Sequence, residues 1–479
     1  MEPCKTCCLG LKGGTCDCPR GKALGGSSVI NVMLYVRGNP SDYYGWAEDG
    51  NTEWNYSSVV TYFRKFEGCQ DPDCPFYGKD GELKLTRYKF QQPIRDILAN
   101  AYSDLGYYKE YTEENPLGFW DTFMTINEGT RFGKLIIDTS EKVVRGVEVK
   151  INGKILKFRA KKEVILSAGA ISSPQILMNS GIGPKKHLED IGIRVVKDLN
   201  VGNNFQDHVI FPLFLSIDNS VVNPKSTLDE INQYYNFFMH RYGPLTEIGI
   251  TNFLGFLNIK NDSIYPDLQF YHVIFEQNDS YLLPTIASAF DMPDELIATF
   301  QESNRNSCNL FIAPQILKPK SRGKIRLRSA DPFDSPKIFP NYFSDKDNED
   351  LDLLLEGIKL VKQLIQTKTL RKYNAKLVEY TLPNCKEFVF DTTEFWRCAI
   401  RNIGNHIYHQ AGTCKMGPKG DPTAVVSPRL RVHEIQHLRV IDASIMPRII
   451  SGNLNAPVIM IGEKGAEFIK QAWLPSTHN

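Results

Sequence analysis

The stretch that most constrains the fold lies near the end of the chain, from Asn405 to Lys464. Its middle part is a Leu-Arg-Val-Ile run, beginning at Leu438, that is typical of a buried strand, and the acid Asp442 and the small residue Ala443 follow directly. Its last part predicts a helix start, because Asn455 is a good N-cap residue and Pro457 falls in the first turn, where its missing N–H costs nothing. Since a helix N-terminus carries about half a positive charge, this segment favours an anion in front of the helix.

Length and composition set broad limits. A chain of 479 residues can bury large cores and predicts two domains or one discontinuous pair. Hydrophobic content of 42% and charged content of 23% are ordinary for a soluble globular protein. A net charge of +1 gives no electrostatic reason to expect nucleic acid, and no apolar run reaches the length that spans a bilayer. We therefore expect neither a nucleic-acid partner nor a membrane span.

Cysteine usage points to an oxidising compartment. The chain has 11 cysteines, and seven of them fall in two close groups: Cys4, Cys7, Cys8, Cys16 and Cys18, then Cys69 and Cys74. A zinc site is the alternative for the first group, but its second pair lacks the spacing of a zinc ribbon, so we favour disulfides and predict no metal. The glycosylation sequons at Asn55, Asn261 and Asn278 fit an extracellular location.

A glycine-rich turn near the start can approach an anion closely. Gly25, Gly26, Ser27 and Ser28 can direct successive backbone N–H groups and hydroxyls at one point, and Asn31 follows. Taken alone, this run favours a flexible loop. A second such place is the apolar run ending at residue 166, followed by small residues and a helix that we predict to be capped by Ser173 with Pro174 at its first position. Strand, tight turn and helix N-terminus is the usual approach to a bound nucleotide.

The middle of the chain contains no catalytic motif. Residues 135–160 predict a β-meander, with Asn152 and Gly153 as a two-residue hairpin turn. Residues 211–396 predict short strands and helices, which we interpret as a substrate domain. Their aromatic residues are more simply core than ligand-stacking groups.

Three of these stretches together resemble the signatures of the glucose–methanol–choline oxidoreductases, FAD-dependent alcohol dehydrogenases and oxidases, and above all their insect glucose-dehydrogenase-like branch. They are the run from Arg20 to Trp46, residues 163–177 and residues 405–464, and residues 201–208 resemble a further stretch of the family. The resemblance implies an α/β fold with a discontinuous, Rossmann-like FAD-binding domain and a substrate domain that contains an antiparallel sheet. It divides the chain into an FAD-binding region at 1–209, part of the substrate domain at 210–318 and a C-terminal region at 319–464.

The same resemblance assigns roles to single residues. In the family, the His of an H-x-x-G-T motif is the catalytic base, which implies His409, and the residue before the final helix is its partner, which implies Asn455. Gln410 stands where the family usually has Pro, and Val32 where it usually has Gly. The implied cofactor is FAD, the substrate an alcohol or sugar and the electron acceptor a quinone or oxygen. The residues implied to contact FAD are Gly25, Gly26, Ser27, Ser28, Asn31, Asp442 and Ala443.

Two family elements are not found. No G-x-G-x-x-G motif precedes Pro19, and residues 129–135 are shorter than the family segment there. The first residues also lack the basic and apolar parts of a signal peptide. We therefore expect that the first βαβ unit is missing, that residues 1–479 alone do not retain FAD, and that the neighbouring strands at 164–166 and 440–441 become apolar edges.

Other interpretations stay open. His409 could be a core histidine and Asn455 only a helix cap, and His208 is more simply structural than a base. A non-catalytic protein that kept the fold without FAD would carry no flavin. A lyase would bind flavin, but its substrate would not reduce that flavin.

Overall fold

The computed structural model describes residues 1–21, 25–69, 71–72, 74–87, 92–107, 117–124, 134–138, 140–151, 154–224, 226–240, 250–260 and 265–474. The strands are β1 Leu34–Tyr35, β2 Glu67–Cys69, β3 Leu83–Arg87, β4 Gly118–Asp121, β5 Phe123–Met124, β6 Lys134–Asp138, β7 Val143–Ile151, β8 Lys154–Arg159, β9 Val164–Leu166, β10 Ile182–Gly183, β11 Lys197–Asp198, β12 Val209–Ile210, β13 Leu213–Ile217, β14 Phe253–Leu257, β15 Leu268–Phe275, β16 Cys308–Ile316, β17 Lys324–Arg326, β18 Lys337–Phe339, β19 Lys376–Leu377, β20 Asn405–His406 and β21 Leu438–Val440. The helices are α1 Pro40–Glu48, α2 Tyr56–Phe66, α3 Pro93–Asp104, α4 Gly169–Asn179, α5 Lys185–Asp190, α6 Thr227–Tyr235, α7 Leu282–Ala289, α8 Asp294–Asn306, α9 Glu349–Ile365, α10 Lys368–Arg371, α11 Thr393–Ile403 and α12 Asn455–Trp473.

The two strands that precede the small-residue turns pair with each other. β21 lies parallel to β9, with Leu438 opposite Val164 and Val440 opposite Leu166. All four side chains are buried. Parallel pairing brings the carboxyl ends of both strands to the same edge, so the turn after β9 and Asp442 after β21 become neighbours.

The predicted meander is confirmed. β6, β7 and β8 form a three-stranded antiparallel sheet in that order. The register pairs Ile151 with Lys154, which leaves a two-residue connection. The turn residues Asn152 and Gly153 themselves lie outside the described residues.

An eight-stranded antiparallel sheet forms the centre of the substrate region, as the family resemblance implied. The order is β19-β13-β16-β15-β14-β4, and β12 pairs with both β16 and β20. β14, β15 and β16 are buried along their whole length, including polar residues of β15 and β16 such as Gln269 and Gln315. Helix α9 covers this sheet at Gly357, where a Cβ would come within 2.7 Å of Pro314.

Short strands at the edge of this sheet align the site. β12 and β20 run antiparallel with Val209 opposite His406. This pairing brings the residues before β12 beside the residues after β20, although they are some 200 positions apart in sequence.

The start of α4 differs from the prediction. The helix begins at Gly169, and Pro174 lies inside it. A proline there leaves the carbonyl of Ala170 without its helical N–H partner, and the hydroxyl of Thr413 donates to that carbonyl at 2.5 Å. The hydroxyl of Ser173, predicted to be the cap, donates instead to the Asp442 carboxylate at 2.6 Å.

Eight cysteines form disulfides, as the composition favoured, while Cys18, Cys308 and Cys414 are free. The pairs are Cys4–Cys7, Cys8–Cys16, Cys69–Cys74 and Cys385–Cys398. Within the described ranges, no cluster of His, Cys, Asp and Glu side chains has the arrangement of a metal site. The helices that can be described are all too short or too polar to cross a bilayer.

Candidate active site

Two buried histidines form the centre of the site. His208 Nδ1 lies 2.8 Å from His409 Nδ1, and the two rings meet edge to face. The second nitrogen of His208, Nε2, lies 3.2 Å from the carbonyl oxygen of Leu317. Burial lowers the pKa of His208 to about 3. Burial also lowers the pKa of His409 well below its usual value, and the nearby His208 and His406 lower it further. Both rings are therefore neutral at pH 7.

The other nitrogen of His409 meets an amide. Asn453 Nδ2 lies 3.4 Å from His409 Nε2. Tyr271 Oη and Gln269 Nε2 donate to Asn453 Oδ1 at 3.2 and 3.3 Å, and Gln315 Nε2 donates to Gln269 Oε1 at 3.1 Å. Because these donors occupy the Asn453 oxygen, its NH₂ group is the part that faces His409.

A buried carboxylate holds the backbone of the base. The His409 N–H donates to Asp207 Oδ1 at 2.8 Å, while Gln410 Nε2 and Tyr342 Oη donate to Asp207 Oδ2 at 2.8 and 3.0 Å. Burial raises the pKa of Asp207 to about 7. Gln410, which replaces the usual Pro of the family, thus supplies a hydrogen bond that Pro could not.

His406 is accounted for by its surroundings. Its Nε2 donates to the carbonyl of Asp17 at 2.7 Å, and its Nδ1 accepts from the Tyr408 N–H at 3.1 Å and lies 3.2 Å from Gln410 Nε2. Burial lowers the pKa of His406 to about 4. The hydrogen bond from His406 to Asp17 therefore holds the N-terminal segment against the site.

The residue beside His409 is Asn453, two positions before the predicted partner. Asn455 is the first residue of α12, and the N-cap is Leu454, whose side chain cannot cap. The prediction that Asn455 caps this helix is therefore wrong, because its backbone is already helical. The catalytic role of Asn455 stays a prediction.

The predicted cofactor segments converge. Asp442 Oδ2 accepts from the Gly169 N–H at 2.9 Å, which joins the turn after β9 to the second residue after β21. Arg20, just before the glycine-rich turn, donates to the carbonyl of Ala168 at 3.1 Å. The Gly412 N–H of the H-x-x-G-T motif donates to the carbonyl of Ala443 at 3.1 Å. All three family segments thus meet around one point.

The glycine-rich turn fits close approach of a ligand such as FAD. Gly25 and Gly26 have φ values of +87° and +61°, and the short 3₁₀ turn Gly26–Val29 follows. A Cβ placed on Gly26 would meet no atom within 4 Å among the described residues. Asn31 shapes this turn, since its Nδ2 donates to the Ser28 carbonyl at 3.1 Å and its Oδ1 accepts from the Met33 N–H at 2.6 Å.

Comparison with known proteins decides the family. The two GMC oxidoreductase family models match residues 6–126 and 122–210, and residues 319–462. The chain is a GMC oxidoreductase. It is 36% identical to glucose dehydrogenase (FAD, quinone) of Drosophila melanogaster over 98% of this chain and 77% of that protein. It is 34% identical to human mitochondrial choline dehydrogenase over 96% of this chain and 77% of that protein.

The fold agrees with the family. The structure superposes on formate oxidase from Aspergillus oryzae RIB40 with a TM-score of 0.81 and 25% identity, over 95% of this chain and 85% of that one. GMC oxidoreductases are FAD-binding flavoproteins that oxidise CH–OH donors, so FAD is the cofactor of this chain.

The sequence prediction omitted three residues of the site. It treated His208 as structural, it passed over Asp207, and it chose Asn455 where the structure places Asn453 against His409. His208 lies in a stretch that resembles the family, and Asn453 is a polar residue in the same small-residue segment as Asn455. Both signals were in the sequence, but neither says which side chain turns inward.

Proposed function

We propose that this protein oxidises the hydroxyl-bearing carbon of a small alcohol or sugar, with His409 as the base that takes the hydroxyl proton. The single observation that carries the proposal is the setting of His409. Its ring is buried and neutral, with Nδ1 against His208 and Nε2 against the Asn453 amide. The same segment is hydrogen-bonded, through the Gly412 N–H, to Ala443 of the proposed cofactor site.

The neutral ring suits general-base work. A proton acceptor needs a lone pair within hydrogen-bond reach of the hydroxyl group, and Nε2 is the nitrogen left for it. The 3.4 Å contact with Asn453 is long, so a substrate hydroxyl can replace the amide there at small cost. Asn453 then becomes a donor for the substrate oxygen, while Asp207 keeps the backbone of His409 in place.

The residues proposed to hold FAD lie on the turn from Gly25 to Ser28 and at Asp442 and Ala443. When bound, FAD accepts the hydride from the carbon that bears the hydroxyl group. Asp442 contributes mainly by fixing the turn after β9, since Gly169 N, Ser173 Oγ and Ser444 N all donate to its carboxylate.

The surroundings of His409 favour a neutral substrate. The carboxylate of Asp207, which accepts from the His409 N–H, also accepts from Gln410 and Tyr342, and burial raises the pKa of Asp207 to about 7. A cationic substrate would need an ionised carboxylate of its own. The Drosophila relative is named for glucose and quinone. We therefore propose an uncharged alcohol or sugar as donor, and a quinone or oxygen as electron acceptor.

The disulfides support an oxidising, extracellular location. Four disulfide pairs form among the described cysteines, and such pairs persist mainly outside the cytosol. The sequon residue Asn278 is exposed and available for glycosylation.

Anaerobic reduction of bound flavin tests the function. We expect protein loaded with FAD to lose its flavin absorbance when a neutral alcohol or sugar from a small panel is added. His433→Gln is the control: the His433 ring hydrogen-bonds to the Gly417 carbonyl in a separate turn, so this variant should react like the wild type. A protein that binds no flavin would favour the non-catalytic interpretation, and one that binds flavin without bleaching would favour a lyase.

A further inference from the structure

The hydrogen bonds of His208 fix where its single proton lies. A carbonyl oxygen can only accept, so the 3.2 Å contact with Leu317 places a hydrogen on His208 Nε2. His208 is fully buried and no carboxylate accepts from it among the described contacts, so its ring is neutral. Its Nδ1 must therefore be a lone pair.

The next bond follows from the first. His409 Nδ1 lies 2.8 Å from the His208 lone pair, which requires His409 Nδ1 to carry a hydrogen. A neutral ring has only one, so His409 Nε2 has none. The second chain of contacts agrees independently, because Asn453 presents its NH₂ group to Nε2.

We propose that His208 is a positioning residue that holds the proton of His409 on Nδ1 and so leaves Nε2 as the basic nitrogen; this rests on the proposed function of His409. The Leu317 carbonyl fixes the His208 tautomer by accepting from its Nε2–H. When Nε2 takes the hydroxyl proton, the O–H bond breaks and the N–H bond forms, and the charge on His409 is stabilised through the Nδ1–H that His208 accepts. His208 gains no proton in this step. The titratable groups around the pair are Asp207, His406, Tyr271 and Tyr342.

The tautomer can be measured without flavin. Nitrogen-15 labelling of the histidines gives two-bond nitrogen–proton correlations that distinguish Nδ1–H from Nε2–H rings. We expect His409, assigned by the signals lost in His409→Gln, to show Nδ1–H at pH 7. A spectrum with the hydrogen on Nε2 would overturn the inference.

Two variants at His208 separate positioning from packing. His208→Asn keeps an oxygen that can accept from His409 Nδ1, whereas His208→Leu offers no acceptor. With FAD bound, we expect the Leu variant to lose about 10²-fold in the rate of flavin reduction and the Asn variant to stay within about tenfold of wild type. Equal rates in Leu and wild type, with an unchanged His409 tautomer, would contradict the proposal. If the Leu variant does not fold, the wild-type spectrum and the Asn variant still decide.

This inference and the proposed function fail differently. If His409→Ala kept full activity while wild-type His409 showed the Nδ1–H tautomer, His409 would not be the base. His208 would then fix the tautomer without any effect on catalysis. A large loss in His409→Ala with an Nε2–H tautomer would remove only the role of His208.

Discussion

Asp442 gives the sharpest test of how the cofactor region is held together. Its carboxylate is buried and accepts from Gly169 N at 2.9 Å, Ser173 Oγ at 2.6 Å and Ser444 N at 2.8 Å. Asp442→Ala leaves these three donors unpaired, and at roughly 1–3 kcal/mol for each we expect a loss of about 3–9 kcal/mol in unfolding free energy. Asp442→Asn can keep one oxygen in place and should lose about 1–3 kcal/mol.

The assay is urea unfolding of flavin-free protein, followed by circular dichroism. Without FAD, any loss in unfolding free energy comes from the hydrogen bonds of Asp442 within the protein and not from a contact with the cofactor. Asp49→Asn is the matched control, because Asp49 makes a partly exposed ion pair with Arg448 at 3.1 Å and should cost less than about 1 kcal/mol. Wild-type stability in flavin-free Asp442→Asn would refute the reasoning and return Asp442 to a purely ligand-binding role.

Three further predictions concern the site, the pH response and the location. Asn453→Leu should slow flavin reduction more than Asn455→Leu does, because Asn453 contacts His409 Nε2, and pre-steady-state kinetics of both variants would show the reverse order if Asn455 is the partner. Burial lowers the pKa of His272 to about 4, so the unfolded chain takes up a proton near pH 6.5 that the folded protein refuses, and stability falls as pH falls. The advantage of wild type over His272→Gln in unfolding free energy should therefore shrink by about 2 kcal/mol between pH 7 and pH 5, and a constant difference would argue against a neutral buried ring. In secreted material, mass spectrometry should find a glycan on the exposed Asn278 but not on Asn55, whose side chain caps α2, and an occupied Asn55 with a bare Asn278 would contradict this reading of the surface.

The sequence was most informative where a signal is local. The meander and the buried strands follow from side-chain periodicity and turn residues, and the structure confirms them. The antiparallel sheet, which the family resemblance implied, is also present. The family resemblance rested on long runs, which is why it was specific. The pairing of β9 with β21 depends on residues more than 270 positions apart, and no local pattern carries it.

Errors arose where a distant partner replaced a local one. The start of α4 was misplaced because the Thr413 hydroxyl, 243 residues away, satisfies the Ala170 carbonyl that Pro174 leaves open. At α12, Asn455 looked like a cap, but caps are defined by backbone conformation, which the side-chain preference only suggests. The choice between Asn453 and Asn455 as neighbour of His409 likewise depends on which residue the turn directs inward.

The central claim is that His409 removes the substrate proton. Its most direct test is the rate of flavin reduction in His409→Ala, measured anaerobically with a saturating donor in a form of the protein that retains FAD, beside wild type and His433→Gln prepared in the same way. We expect a loss of about 10²–10⁴-fold with flavin still bound, because the base acts on the substrate and does not hold the cofactor. A rate in His409→Ala equal to that of wild type would contradict the account and show that another group takes the proton.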